Sequence, residues 1–218
     1  MRKEKEQYKK LIRSIIVILL VACETIIFMH YWINIYNKYT VFPFFQKGHW
    51  MMAAMYIIYQ IIFLYIFGGL KVGYLKKANI IFSQVLAMLG SNVIIYLQIV
   101  LLSVRFVNIV PMMKATLVDI CVVVIVAIIS ESIFRKLFPP RELIVLYEDY
   151  NPDEFIKKMN SRKDKYIIKQ KINVSDGLDK IKKDIIQSQG VVIYDVHSEL
   201  RNVILKMCYE NDIRAYST

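Results

Sequence analysis

Three polar side chains lie inside long apolar segments of the sequence, where their chemistry would suit a binding site within a membrane. Glu24, Asn92 and Asp119 each belong to a segment dominated by aliphatic and aromatic residues. At about 1.5 Å of rise per residue, the three positions fall in neighbouring layers of a hydrocarbon core that is about 30 Å thick. Because an ionisable group at such a depth normally faces the interior of a helical bundle, we expect these side chains to form one polar cluster.

Two interpretations of this cluster are open on the sequence alone. The cluster binds an ion or a lipid head group, or it holds the helices together through interhelical hydrogen bonds. Two carboxyl groups close together would leave one of them protonated. Because the sequence places no basic side chain at the same depth, it favours the packing interpretation.

A second candidate site follows a predicted buried strand. Asp195 and His197 lie in the stretch "DVHSE", at the end of the apolar run "GVVIY". Open α/β sheets bind ligands at the carboxyl ends of their parallel strands, so these two side chains form a candidate weak ligand site. A histidine beside an aspartate also serves as a hydrogen-bonding group at a helix start, and both interpretations are open.

An Asp-Glu dipeptide, Asp153-Glu154, could in principle serve phosphoryl transfer with Mg²⁺. It follows Asn151 and Pro152, which predict a helix start with Asn151 as its cap and Pro152 in its first position. Acidic residues in a first helical turn complement the helix dipole. We therefore predict a capping role for the dipeptide, and the sequence indicates neither a catalytic residue nor a metal site.

The elements that position these residues begin with four apolar segments, at residues 11–36, 50–67, 79–104 and 111–134. Each is close to or longer than the roughly 20 residues that a helix needs to cross a bilayer. The first segment could instead be a lipoprotein signal that ends at Cys23, but its apolar run continues beyond the roughly 7–15 residues of such signals. The sequence therefore predicts an α-helical membrane bundle of four transmembrane helices.

Basic residues flank the apolar segments. The chain carries 29 Lys and Arg against 18 Asp and Glu, a net charge of +11. The basic residues concentrate in the N-terminal tail, in the loop "KVGYLKKAN" and in residues 135–141. Short loops rich in Lys and Arg stay in the cytoplasm, so we predict a multi-pass protein with both termini cytoplasmic. The basic N-terminus would contact anionic lipid, and the pattern argues against nucleic-acid binding.

Strand and helix patterns alternate after Pro139 and Pro140, which cannot continue a helix. The runs "ELIVLY", "YIIKQKINV", "GVVIYDV" and "IRAYS" predict strands with helices between them, and hence parallel βαβ units. We predict a small α/β Rossmann-like parallel-sheet domain over residues 139–218, after a membrane domain over residues 1–138. The loop after the first strand lacks glycine and carries Glu148, which disfavours tight dinucleotide binding there.

Four segments of the chain carry a resemblance to a known family. They are "FGGLKVGYLKKANIIFSQVLAMLGSNVIIYLQI", "RKLFPPRELIVLY", "MNSRKDKY" and "LRNVILKMCYENDIRAYST". These segments resemble the N-terminal half of the bacterial polyprenyl-phosphate (undecaprenyl-phosphate) sugar-1-phosphate transferases, the large phosphoglycosyltransferases that start exopolysaccharide, capsule or O-antigen synthesis. The resemblance implies four membrane helices, a Rossmann-like cytosolic module, and then a catalytic domain that uses Mg²⁺ and that we expect this chain to lack.

The resemblance also implies a function. The chain would be the membrane-anchoring and regulatory part of an enzyme that moves a sugar-1-phosphate from a nucleotide sugar to polyprenyl phosphate in the bacterial cytoplasmic membrane. By itself it would be inactive and without a cofactor, it would form a homodimer, and its module would bind a nucleotide or nucleotide sugar. The alternative is a self-standing four-span membrane scaffold or sensor with a cytosolic ligand-binding module. A small transporter is disfavoured because the sequence shows no inverted repeat.

Overall fold

The computed structural model describes residues 2–161 and 165–217, which form two compact units, Met1–Leu137 and Phe138–Thr218. Residues 162–164, within the segment "MNSRKDKY", and the terminal residues Met1 and Thr218 lie outside the described residues. Each unit has a hydrophobic core of its own, so each is described by itself.

The first unit, called the helical unit, contains four long α-helices in its described part. They are α1 Arg2–Asn34, α2 Gln46–Phe67, α3 Lys77–Ser103 and α4 Val110–Leu137, with a short 3₁₀ helix at Tyr36–Tyr39. All four long helices have the length and the apolar composition needed to cross a membrane. The prediction of four long apolar helices is therefore confirmed.

Two helix starts in this unit follow from local chemistry. α1 begins at Arg2, well before the predicted start at residue 11, because the Lys, Glu and Gln residues of the tail are good helix formers. α4 carries Pro111 in its first turn, where the missing N–H would have had no helical partner.

Besides its apolar core, the helical unit buries polar side chains and exposes many large aliphatic ones. Polar and charged side chains such as Glu24 and Asp119 are buried, whereas large aliphatic side chains such as Ile18, Ile26 and Leu101 are exposed. Lipid tails are as apolar as leucine, so they can cover such a surface without a penalty. This pattern is typical of a helical bundle in a bilayer.

Aromatic side chains fix α1 against α2 next to the buried polar residues. The ring of Phe28 on α1 stacks on the ring of Tyr56 on α2, with 4.6 Å between the ring centroids. Glu24 lies one turn before Phe28, and Gln60 lies one turn after Tyr56, so the stacked pair positions both polar side chains. Further along α1, the buried Trp32 donates its indole N–H to Nδ1 of His49 at 3.1 Å.

The second unit, called the α/β unit, contains a four-stranded sheet in the described residues. Its strands are β1 Arg141–Tyr147, β2 Tyr166–Asn173, β3 Gly190–Tyr194 and β4 Arg214–Ser217. Its helices are α5 Asp153–Asn160, α6 Leu178–Gln187 and α7 Ser198–Glu210, with a 3₁₀ turn at Val174–Asp176. All strand pairs are parallel, in the order β2-β1-β3-β4, so the prediction of a small parallel sheet with helices is confirmed.

Helices cover both faces of the sheet, which explains why its central strands read as continuous apolar runs. Ile144 and Leu146 of β1 pack into the core that α6 and α7 share. Leu143 and Val145, which alternate with them, pack into the core that α5 covers. The chain runs from β1 to β2 on one side and then to β3 on the other side of β1, which places a topological switch point between β1 and β3.

Candidate functional site

Four buried polar side chains, one from each long helix, form a polar cluster inside the helical unit. They are Glu24 on α1, Gln60 on α2, Asn92 on α3 and Asp119 on α4. The exposed fractions are 0% for Glu24 and Gln60, 4% for Asn92 and 1% for Asp119. The structure thus buries the three residues that the sequence singled out in one bundle and adds Gln60 to them.

Asn92 is the hub of one half of this cluster. Its Oδ1 accepts a hydrogen bond from the Tyr56 hydroxyl at 3.0 Å. Its Nδ2 donates to Oδ2 of Asp119 at 3.3 Å and to Oγ1 of Thr116 at 2.9 Å. These bonds join α2, α3 and α4, and they are the interhelical hydrogen bonds that the packing interpretation requires.

Glu24 and Gln60 form the other half. Nε2 of Gln60 donates to Oε2 of Glu24, which joins α1 to α2. Gln60 was missed by the sequence analysis, although a single amide in the run "MYIIYQIIFLYIF" is a signal of the same kind as Asn92. Tyr56 and Gln60 lie one turn apart on α2, which places their Cβ atoms about 5–6 Å apart. The Asn92 half and the Glu24 half of the cluster are therefore neighbours. Glu24 and Asp119 lie within electrostatic reach of each other.

Three oxygen atoms of the polar cluster have no hydrogen-bond partner among the described residues. They are Oε1 of Glu24, Oε1 of Gln60 and Oδ1 of Asp119, and all three are buried. A buried acceptor without a donor costs about 1–3 kcal/mol, and more when it is charged. The packing interpretation therefore accounts for Asn92 but leaves three acceptors unexplained.

At the α/β unit's switch point, Glu148 follows β1 and contacts His197, which follows β3. One carboxylate oxygen of Glu148, Oε2, accepts the backbone N–H of His197 at 2.9 Å. The same oxygen lies 2.9 Å from the ring Nδ1 of His197. Because His197 is the residue before α7, the Glu148 carboxylate also supplies the helix start with an acceptor and a negative charge.

These contacts shift both side chains toward their charged forms. The hydrogen bond that the His197 ring donates to Glu148, followed by the charges of Glu148 and Asp149, raises the pKa of His197 above its ordinary value. The backbone hydrogen bond from His197, followed by the bond from its ring, lowers the pKa of Glu148. The His197 ring therefore faces solvent beside the less exposed Glu148 carboxylate, at the edge of the sheet where such folds bind ligands.

Asp195, the other predicted residue at this edge, is exposed and has a left-handed backbone with φ of 50°. It follows β3 and contributes a smaller share of the negative charge around His197. The structure thus pairs His197 with Glu148. The sequence analysis missed this pair because residues 49 positions apart meet only once the parallel order of β1 and β3 is known.

The Asp-Glu dipeptide lies in the first turn of α5, as predicted. The cap prediction was wrong in detail, because Pro152 is the residue before the helix and Asn151 makes no capping bond. Asn151 and Asp153 instead accept hydrogen bonds from Nζ of Lys171, at 3.2 and 2.6 Å. The bond to Lys171 lowers the pKa of Asp153, so its carboxylate is held by a lysine from β2. Across the described residues, His, Cys, Asp and Glu side chains form no group of three or more that could hold a metal ion.

The chain matches no protein-family model, no curated protein and no solved structure.

Proposed function

We propose that the protein is the membrane-anchoring and regulatory part of a polyprenyl-phosphate sugar-1-phosphate transferase of the bacterial cytoplasmic membrane. The observation that carries this proposal is the order of the two units along the chain. A unit of four long helices with an apolar exterior precedes a small parallel α/β unit, which is the order that the resemblance implies.

The position of the basic residues supports an orientation with both termini in the cytoplasm. Nζ of Lys77, at the start of α3, lies 3.2 Å from Oε2 of Glu131, near the end of α4. The guanidinium of Arg13, in the basic part of α1, lies 4.1 Å from the centre of the Tyr74 ring, in the loop before α3. These contacts bring the three basic clusters to one end of the helical unit, where anionic cytoplasmic lipid would favour them.

In this account the α/β unit is a Rossmann-like module on the cytoplasmic side, and its ligand site is the switch point between β1 and β3. Its polar groups there are the Glu148 and His197 pair and the exposed Asp195. A nucleotide or a nucleotide sugar is the ligand that the resemblance implies. The same resemblance implies a homodimer, and part of the apolar exterior of the helical unit would then face a second copy.

The test of this proposal is transfer of radiolabelled sugar-1-phosphate from nucleotide sugars to polyprenyl phosphate, with Mg²⁺, in membranes of the native host. Deleting the coding region of this chain should abolish one such transfer, and returning the intact gene should restore it. Transfer that is unchanged by the deletion for every nucleotide sugar would contradict the proposal.

The purified chain, tested in the same assay, should transfer nothing above a no-protein control. The physical reason is that Asp153, in the one dipeptide considered for catalysis, is held by Lys171 at a helix start. Turnover that disappears in an Asp153→Asn variant would show that this carboxylate is catalytic. Turnover that survives Asp153→Asn would instead indicate a contaminating host transferase.

A second candidate function is a self-standing membrane scaffold or sensor with a cytosolic ligand module. The observation that favours it is the exposed His197 ring, paired with Glu148 at the switch point. Loss of a host response to a small ligand after deletion of the chain, with all polyprenyl transfers intact, would favour this function over the first.

A further inference from the structure

We propose that the polar cluster of the helical unit binds one monovalent cation, with Na⁺ as the occupant and protons as competitors for the same carboxyl groups. The cluster consists of Glu24, Gln60, Asn92 and Asp119, as defined above. This inference goes beyond the proposed function, which needs the four helices only as an anchor and a regulatory element.

The first argument is that the acceptors of the polar cluster outnumber its donors. Oε1 of Glu24, Oε1 of Gln60 and Oδ1 of Asp119 have no hydrogen-bond partner among the described residues. The nearby donor groups already bond to other oxygens, since Nε2 of Gln60 donates to Oε2 of Glu24 and Nδ2 of Asn92 donates to Oδ2 of Asp119. The Tyr56 hydroxyl is used as well, because it donates to Asn92. A cation can satisfy several buried oxygens at once where no further donor exists.

Turning the Gln60 amide over does not remove this excess of acceptor oxygens over donors. If the amide were turned over, its oxygen would face the Glu24 carboxyl, and two acceptors would meet. A proton on Glu24 would resolve that contact but would leave Oδ1 of Asp119 without a partner. Positive charge is therefore needed in either orientation, as an ion or as protons.

The second argument is the position of the three oxygens. Oε1 of Glu24 belongs to the carboxyl group that Gln60 contacts, and Oε1 of Gln60 belongs to the amide that makes this contact. Oδ1 of Asp119 belongs to the carboxyl group that Asn92 holds at 3.3 Å. The Asn92 amide is held by Tyr56, one turn from Gln60 on α2. The unpartnered oxygens thus come from α1, α2 and α4 and lie in one buried region.

The third argument concerns the charge of the ligand. The titratable groups that face this region are Glu24 from α1, Tyr56 from α2 and Asp119 from α4, while α3 contributes the non-titrating Asn92. Two carboxyl groups in one buried region retain a proton between them, which leaves one negative charge. Ca²⁺ takes six to eight oxygens and Mg²⁺ keeps a strict octahedral shell with several waters. A single remaining charge and three free oxygens fit a monovalent ion better than either.

The ion would stay bound as a structural ligand and would not be transported across the membrane. Transporters that carry Na⁺ build their sites from interrupted helices, whereas the helices that hold this polar cluster are continuous over their full ranges. A cation that contacts α1, α2 and α4 would hold three helices together. The expected consequence is Na⁺-dependent stability of the helical unit.

The experiment measures thermal unfolding of the purified full chain in detergent micelles at about pH 8. Na⁺ is increased against choline at constant ionic strength. Because a ligand stabilises the state that binds it, the midpoint temperature should rise with Na⁺ and saturate, by roughly 5 °C when Na⁺ far exceeds its dissociation constant. At about pH 5.5 the same rise should need more Na⁺, because protons compete for the carboxyl groups.

Two variants, Glu24→Gln and Asp119→Asn, each replace one carboxyl group by an amide of the same shape. Both should fold and should lose the response to Na⁺. The matched control is Glu131→Gln, whose carboxylate lies on the surface of α4 beside Lys77 and Arg135. This control should keep the full response.

A second measurement covers the case in which a variant does not fold. Equilibrium binding of ²²Na⁺ to the wild-type chain should saturate at about one ion per chain. The affinity for Na⁺ should decrease as the pH is lowered. The proposal is overturned if Na⁺ and choline give equal stability and no saturable ²²Na⁺ binding is seen. It is also overturned if both amide variants keep the Na⁺ response, or if lowering the pH in choline alone raises the midpoint temperature as much as saturating Na⁺ does.

Discussion

The helical unit and the α/β unit expose similar aliphatic side chains and both bury an apolar core, but they differ in where polar side chains are buried. In the described part of the chain, every buried polar or charged side chain belongs to the helical unit. The cores of the α/β unit consist of Val, Ile and Leu with Cys208. Both units nevertheless expose isoleucines, such as Ile26 on α1 and Ile186 on α6.

The energetic consequence of an exposed apolar side chain therefore depends on whether water or lipid surrounds it. In water, scattered exposed isoleucines are ordinary, and they are affordable because the core supplies the driving force. In lipid, apolar contact supplies no driving force between helices, so packing and buried hydrogen bonds must hold the bundle together. The polar cluster and the aromatic contacts of α1 and α2 add to the apolar packing that holds the helical unit together.

The largest expected effect on stability comes from replacing one exposed isoleucine in each unit by lysine. Ile26→Lys places a charge on a side chain that is 68% exposed on α1. In lipid it should cost about 3 kcal/mol, because a lysine in the hydrocarbon region is penalised by that amount. Ile186→Lys, at 51% exposure on α6, should stay within about 0.5 kcal/mol if that surface faces water.

Both lysine variants are compared by thermal unfolding in micelles and by the fraction of chain recovered in the membrane. Equal, small effects of the two substitutions would mean that the surface of α1 does not face lipid.

A smaller effect comes from adding one methyl group where two elements approach closely. Gly190→Ala would place Cβ 2.8 Å from the buried Leu143 side chain and 3.1 Å from the carbonyl oxygen of Arg214. Because neither can move freely, it should destabilise the α/β unit by about 1–3 kcal/mol.

Gly90→Ala is the matched change in the helical unit. Its Cβ would lie 2.9 Å from the ring of Phe63, which is only partly buried and can turn outward. Better helix propensity offsets the contact by about 0.5–1 kcal/mol, so the change should be close to neutral. Chemical denaturation of the two variants checks this order, and a larger cost at Gly90 would show that the Phe63 ring cannot turn outward.

The smallest effect is a pH dependence confined to the α/β unit. The pKa of His197 is raised, so its pairing with Glu148 stabilises the fold fully below the unfolded value of about 6.5. That contribution is lost as pH rises through the higher folded pKa. The pKa of Glu148 is lowered, so its contribution is lost only as pH falls through its folded value, below about 4.5.

Stability should therefore decline slightly as pH rises above about 6.5, and the exposure of the His197 ring to solvent keeps the change small. His197→Asn should remove the decline, which thermal unfolding at several pH values would measure. A decline of the same size in the variant would assign it to another group.

The sequence predicted those features that depend on local pattern. Long apolar runs predicted the four helices, and alternation of short apolar runs with helical segments predicted the parallel sheet. Polar residues within apolar runs predicted Glu24, Asn92 and Asp119 as buried partners, because lipid admits such groups only inside the bundle.

The features that the sequence did not predict depend on which elements are neighbours. Gln60 matters because it meets Glu24 across two helices, and Glu148 matters because β1 lies beside β3. The predicted cap of α5 by Asn151 was wrong for a different reason. Lys171 of β2 competes for Asn151, and a contact from a neighbouring strand replaces the local capping bond.

The most direct test of the account is where two exposed residues lie relative to the membrane. Phe42, 83% exposed between α1 and α2, and Tyr209, 88% exposed on α7, are replaced singly by cysteine in a full chain without its native cysteines. A membrane-impermeant maleimide on intact cells should label the cysteine at position 42 and spare the one at 209, and permeabilised cells should show both labelled. Labelling of position 209 alone in intact cells would reverse the orientation, and labelling of both would show that the helical unit does not separate them across a membrane.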